Sequence, residues 1–117
     1  DGTHWKGYFD HDSGLASNFI NFIKANANIA WICTDDGLSS FNSETWVTYK
    51  NQGSPKAGLV ITHKGEKEIS KSKATSSIGH NFTLGVDFSD DEIWVATSKG
   101  LTKGEVIGYV DEPNTKL

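Results

Sequence analysis

The chain has 117 residues, a net charge of −4, 36% hydrophobic residues and 22% charged residues, as expected of one folded, β-rich domain rather than a disordered segment. All 11 basic residues are lysines. Nucleic-acid binders usually present a basic face that contains arginine, so no nucleic-acid partner is expected. The single cysteine excludes an internal disulfide and cysteine-based haem or zinc sites, and no apolar run approaches the roughly 20 residues that span a bilayer, so no membrane insertion is expected.

A strand is predicted over residues 2–9, because large side chains alternate there with small or polar ones. Trp5 and Tyr8 also match Trp46 and Tyr49, which come 41 residues later (46 − 5). We therefore interpret residues 1–10 as the outer strand of a preceding sheet unit.

Four antiparallel strands are predicted within residues 11–50, after a turn-rich connection over residues 10–17. Their ranges are about 18–24, 29–34, 38–42 and 45–50. The first contains consecutive apolar residues, which suit an inner strand buried on both faces. Gly37, which follows Asp35 and Asp36, is predicted to supply the positive φ that a tight hairpin requires.

Residues 51–80 are interpreted as an insert, made of a hairpin over Gly58–Ile69 and a mobile stretch over residues 70–79 that is rich in serine and lysine. Residues 81–117 are interpreted as a second unit with a polar tail. Its strands are predicted at about 82–88, 92–97, 101–103 and 106–110.

The two units share a motif: the stretch from Trp31 to Leu38 returns from Trp94 to Leu101, displaced by 63 residues (94 − 31). Repetition at about 40–45 residues is typical of β-propeller blades, and the insert accounts for the longer spacing here. The prediction is an all-β fold with about two four-stranded antiparallel blades and an extra outer strand, forming part of a larger propeller. Eight repeated or turn-forming residues are interpreted as structural, the tryptophans as packing anchors between blades: Asn18, Trp31, Gly37, Leu38, Asn81, Trp94, Gly100 and Leu101.

A binding surface is the second prediction. In a propeller the connection between blades and the turn between the second and third strands lie on one face, and two tryptophans on outer strands are expected to be partly exposed. The candidate residues are Asp10, His11, Asp12, Asp35, Asp36, Ser98, Lys99, Trp5 and Trp46. Ordinary solvation of these loops is the alternative interpretation. No aspartate cluster has calcium-loop spacing, so neither a metal nor another cofactor is predicted.

These motifs resemble the two-component regulator propeller repeat. The first copy contains the matching segments Gly14–Asn18, Trp31–Thr34 and Gly37–Phe41, followed by Trp46 and Tyr49. It departs from the family pattern at Ala16, where proline is usual, and at Cys33, where glycine is usual. The second copy keeps the motif from Trp94 to Leu101 but lacks the Gly-Leu-x-Ser lead-in.

The resemblance implies a bacterial protein located outside the cytoplasm, whose partners are further blades of the same or neighbouring chains. The function expected from it is a non-catalytic binding or assembly module that recognises a protein or small ligand through its loops. Two alternatives stay open. One is an accessory subunit that scaffolds or coats an extracellular electron-transfer or filament assembly, and the other is a hydrolase or lyase on a propeller scaffold.

Overall fold

A computed structural model describes residues 3–105, which form nine β-strands. The strands are β1 Ile20–Asn26, β2 Ile29–Thr34, β3 Gly37–Phe41, β4 Thr45–Ser54, β5 Ala57–Lys64, β6 Lys67–Ala74, β7 Thr83–Ser89, β8 Glu92–Thr97 and β9 Gly100–Glu105. Strands β1 to β6 pair in chain order to form the first sheet, and β7 to β9 form the second sheet. Every pairing is antiparallel and the described residues contain no helix, so the predicted all-β class is confirmed.

The two sheets begin with the same backbone pattern. Ile20 pairs with Thr34 in the first sheet and Thr83 pairs with Thr97 in the second, and a register irregularity follows each pair directly. These residues are 63 positions apart, which is the displacement found in the sequence. Trp31 and Trp94 therefore occupy equivalent places in β2 and β8, as predicted.

The hairpin turns repeat as well. The backbone N–H of Asp35 donates to the carbonyl of Phe19 at 3.0 Å, and that of Ser98 donates to the carbonyl of Phe82 at 3.0 Å. Gly37 has a φ of +126°, which confirms the predicted positive φ and explains why glycine follows the two aspartates.

The insert is integrated into the first sheet. Strand β4 runs on to Ser54, and β5 pairs along it, so the predicted hairpin extends the sheet instead of standing apart. Residues 70–74 belong to β6, where mobility was predicted for residues 70–79. The unpaired edge of β5 supplies hydrogen-bond partners for this polar segment, and pairing decides its structure more than composition does.

The chain segment before β1 crosses the outer face of the first sheet. Residues 3–9 form no strand, contrary to the prediction, because no described strand lies beside them to pair with. Gly14 lies directly against Trp46 and His63, and a side chain there would collide with both. Leu15 packs with Ile32 and Trp46 in a small core on this face.

The main core lies between the two sheets. Its buried members are Trp31, Cys33, Leu38, Ile78, Val86, Ile93 and Val95. The Trp31 ring lies 5.8 Å from that of Phe88 and stacks on Tyr49 at 6.2 Å, measured between ring centroids. The strand predicted over residues 106–110 and the polar tail lie outside the described residues.

Candidate functional site

Hairpin turns of both sheets meet at one end of the molecule. The N–H of Gly37 donates to the carbonyl of Asn81 at 2.6 Å, and the N–H of Thr34 donates to the hydroxyl of Thr83 at 2.8 Å. These two bonds hold the β2–β3 turn against the start of the second sheet, where the β8–β9 turn also lies. We call this surface the turn end, and its polar residues include Asp10, Asp35, Asp36, Lys50, His80, Ser98 and Lys99.

Side chains at the turn end are held by specific partners. Asp35 accepts a hydrogen bond of 2.9 Å from the amide of Asn21, which also donates to the carbonyl of Thr83. Asp36 binds the Lys50 ammonium at 2.9 Å. The aspartates of the β2–β3 turn are exposed but held in place, because their partners Asn21 and Lys50 lie in strands β1 and β4.

The β8–β9 turn has its own polar contact. The hydroxyl of Ser98 lies 3.0 Å from Nδ1 of His80, and the N–H of Lys99 donates to the hydroxyl of Thr97 at 3.0 Å. His80 therefore belongs to the turn end, a placement that its isolated position in the sequence did not indicate.

The predicted cluster around residues 10–12 is divided. Asp10 and Asn18 exchange hydrogen bonds of 2.7 and 3.2 Å. The next residue, Phe19, accepts the hydrogen bond from the N–H of Asp35, so Asp10 lies at the turn end. His11 stacks on Phe9 with ring centroids 5.6 Å apart. The carboxylate of Asp12 accepts a hydrogen bond of 2.9 Å from the N–H of Phe9. Asp12 also lines a separate cavity of about 220 Å³.

That smaller cavity also includes Glu44 and Gly65. These residues lie in the β3–β4 and β5–β6 turns, which an antiparallel sheet places at the end opposite the β2–β3 turn. The sequence interpretation expected Asp12 to share a surface with Asp35 and Asp36, but the structure places it at the opposite end of the sheet.

The two tryptophans predicted for a contact surface differ in their exposure to solvent. Trp5 is 91% exposed and lies outside any strand. Trp46 is 3% exposed, so its predicted partial exposure is wrong. The ring of Phe41 stacks on it at 4.1 Å and that of Tyr8 packs edge-on at 5.6 Å, because the segment before β1 folds back over the outer face.

An asparagine pair near the turn end was missed. The N–H of Asn51 donates to Oδ1 of Asn81 at 2.6 Å, and Nδ2 of Asn81 donates back to the Asn51 carbonyl at 3.1 Å. The Asn51 amide also donates to the carbonyl of Ile78 at 2.9 Å. This pair fastens β4 to the segment that enters the second sheet. Asn81 was interpreted as structural, but no pattern in the sequence pointed to Asn51.

A larger cavity of about 1050 Å³ lies between the two sheets. Its lining includes Trp31, Tyr49, Val60, Ile69, Ile93 and Lys103. Sequence reasoning missed this cavity because it depends on how far two sheets of unequal width separate, which strand periodicity does not encode.

Two side chains outside the turn end have shifted pKa values. Burial raises the pKa of the Cys33 thiol, which is fully enclosed and is therefore kept in its unreactive protonated form. Two contacts lower the pKa of Asp87: the larger effect comes from the N–H of Phe88, and the smaller from the Lys24 ammonium at 3.1 Å. Within residues 3–105, no three His, Cys, Asp or Glu side chains form a group that could hold a metal ion.

Comparisons of the chain with protein-family models, curated proteins and solved structures give no match. In the described part of the chain, no helix has the length and apolar character needed to span a bilayer.

Proposed function

We propose that this chain is a non-catalytic binding module of β-propeller type, which recognises a basic protein or peptide through its turn end. The observation that carries the proposal is the cross-sheet hydrogen bonding at Gly37 and Thr34, which holds the β2–β3 turn against the segment that enters the second sheet. The β8–β9 turn is bonded to the same segment, through the N–H of Ser98 and the carbonyl of Phe82. Binding residues are commonly found on loops that a rigid scaffold positions.

The charge of the turn end supports a basic partner. Three carboxylates, Asp10, Asp35 and Asp36, accompany two ammonium groups, Lys50 and Lys99. Asp35 is bound by the neutral amide of Asn21, a contact that leaves its negative charge in place. Complementary charge steers association and selects among partners.

The repeated register and the face-to-face packing of the sheets also support a propeller-type architecture. With the resemblance to the two-component regulator propeller repeat, they extend the proposal to a larger propeller in a bacterial protein outside the cytoplasm. The second sheet would then be one blade and the first sheet a blade widened by the insert.

The test is a selection of displayed random peptides on the full chain, followed by affinity measurements with the selected peptides. We expect the selected peptides to be rich in lysine and arginine. Their affinity should fall about tenfold or more with the double variant Asp35→Asn, Asp36→Asn, a factor that corresponds to about 1.4 kcal/mol of binding free energy. A matched control is Glu66→Gln, Glu68→Gln, which removes two charges in and beside the opposite β5–β6 turn. Equal losses in both variants, or selection of peptides without basic residues, would contradict the proposal.

A further inference from the structure

Each sheet has two distinct apolar faces. The tryptophan face consists of Trp31, Cys33 and Leu38 in the first sheet and of their equivalents Trp94, Ala96 and Leu101 in the second. Directly paired residues of antiparallel strands project to the same side, and Cys33 pairs with Leu38 as Ala96 pairs with Leu101.

The isoleucine face is the other side of each sheet. It consists of Ile23, Ala30 and Ile32 in the first sheet and of their equivalents Val86, Ile93 and Val95 in the second. Ile23 pairs with Ile32, and Val86 pairs with Val95 in the same register.

Inside the molecule, the tryptophan face of the first sheet packs on the isoleucine face of the second. All six residues of these two faces are 7% exposed or less and belong to one core. The contact joins unlike faces, so it is of the head-to-tail kind, which can be repeated by adding a further sheet at either side.

The tryptophan face of the second sheet is left uncovered, and so is the β1 part of the isoleucine face of the first sheet. On the tryptophan face of the second sheet, Trp94 is 36% exposed and Leu101 is 65% exposed. On the isoleucine face of the first sheet, Ile23 is 59% exposed, whereas Ile32 is covered by Leu15. The open part lies along β1, which is also one of the strands through which the two sheets meet internally.

We propose that the tryptophan face of the second sheet is a docking surface for the isoleucine face of the first sheet of a second copy of this chain. The occupant is argued from the internal contact, which shows what a tryptophan face of this sequence packs against. The inference goes beyond the binding role of the turn end, and each proposal can fail alone because they involve different surfaces.

Charge favours a first sheet as the occupant. Lys24 and Asp87 occupy equivalent positions in β1 and β7, and they form the ion pair between the sheets at 3.1 Å. Docking of a second copy would bring its Lys24 towards Asp87, which again opposes unlike charges. Stacking two second sheets would instead oppose two Asp87 carboxylates, an arrangement that like-charge repulsion disfavours.

The backbone can repeat its contact as well. Inside the molecule, the N–H of Gly37 donates to the carbonyl of Asn81. In the repeat, Gly100 is the equivalent of the donor residue and Asn18 is the equivalent of the acceptor residue. Both residues are exposed in the isolated chain. The docked pair would therefore reproduce the charged and backbone contacts of the internal interface, together with the part of its apolar contact that lies along β1.

Sedimentation equilibrium of the full chain over a concentration series tests the proposal. We expect reversible self-association that is weakened about tenfold or more by Leu101→Asp and by Ile23→Asp, because a carboxylate buried against an apolar face is costly. The control is Ile69→Asp, which introduces the same charge at a residue that is 51% exposed on β6, and it should change the association constant less than about twofold.

Mixing the two variants distinguishes the geometry. Leu101→Asp keeps an intact isoleucine face and Ile23→Asp keeps an intact tryptophan face, so an equimolar mixture should form a dimer that neither forms alone. Circular dichroism checks that each variant is folded. If an aspartate variant is not folded, the serine variant at the same position, Leu101→Ser or Ile23→Ser, takes its place. A monomeric wild-type chain at about 200 μM, which is the outcome if a different protein covers this face, would overturn the proposal. So would an equal effect of Ile69→Asp, or a mixture that stays monomeric.

Discussion

The first and second sheets carry the same residue types in the same register, yet they bury them to different extents. Trp31 is 5% exposed and its equivalent Trp94 is 36% exposed. Leu38 is 2% exposed, whereas Leu101 is 65% exposed. Strand register is a local property that a duplicated motif reproduces, but burial depends on which other elements lie against each face.

Different neighbours explain the contrast. The first sheet is covered on its tryptophan face by the second sheet, and around Ile32 and Trp46 on its other face by the segment that contains Leu15. The second sheet contributes Val86, Ile93 and Val95 to the core from one face. A duplicated unit can therefore act as core in one copy and as surface in the other.

The largest expected difference is between Trp31→Ala and Trp94→Ala. Removal of the buried Trp31 ring should lower the free energy of unfolding by about 3–5 kcal/mol, and removal of the exposed Trp94 ring by at most about 1 kcal/mol. Urea unfolding at a protein concentration too low for self-association measures both. Equal losses would show that the two sheets are buried alike in solution.

A smaller difference is expected between Gly37→Ala and Gly100→Ala. Both positions have positive φ, at +126° and +98°, so alanine should cost about 1–3 kcal/mol in each. At Gly37 the added methyl would also lie 3.1 Å from the carbonyl oxygen of Tyr49, whereas a methyl added at Gly100 would have no described atom within 4 Å apart from those of its chain neighbours. We expect Gly37→Ala to be the more destabilising by about 1 kcal/mol or more, which chemical denaturation of both variants would measure.

The smallest effect concerns the ion pair that joins the sheets. The pKa of Asp87 is lowered from its ordinary value of 3.8, first by the N–H of Phe88 and then by Lys24. A lowered pKa means that the carboxylate stabilises the fold above about pH 4, and this contribution is lost as pH falls through the native pKa. Lys24→Gln should raise the pKa of Asp87 towards 3.8 and reduce the loss of stability in acid.

Lys103→Gln is the matched control for that measurement. Lys103 forms its ion pair with Glu92 inside the second sheet, at 3.4 Å. NMR titration of the Asp87 carboxyl should therefore respond to Lys24→Gln and not to Lys103→Gln. An equal response would mean that general charge, and not the contact between the sheets, sets this pKa.

Strands were most predictable from the sequence where the duplicated tryptophan motif and its turn glycine recur. The ranges predicted for residues 29–34 and 92–97 are those of β2 and β8, because each carries the duplicated tryptophan motif and ends at a hairpin. The same reasoning failed for residues 3–9. They match β4 in residue types, but no described strand lies beside them to form backbone hydrogen bonds.

The candidate site was only partly predictable for the same physical reason. Asp35, Asp36, Ser98 and Lys99 were predicted correctly as turn residues, since hairpin turns are local. The burial of Trp46 and the separation of Asp12 from the turn end depend on the path of the segment before β1, which long-range packing decides. Asn51 lies beyond the motif and acts through a residue 30 positions away.

Strand β6 determines how this protein behaves when it is crowded. It is the outer edge of the first sheet, with an exposed row of lysines at Lys67, Lys71 and Lys73. Charged edges of this kind repel the backbone pairing that leads to amyloid-like aggregates. Edge-to-edge pairing of first sheets is thereby discouraged, even though the widest sheet of the molecule has a free edge.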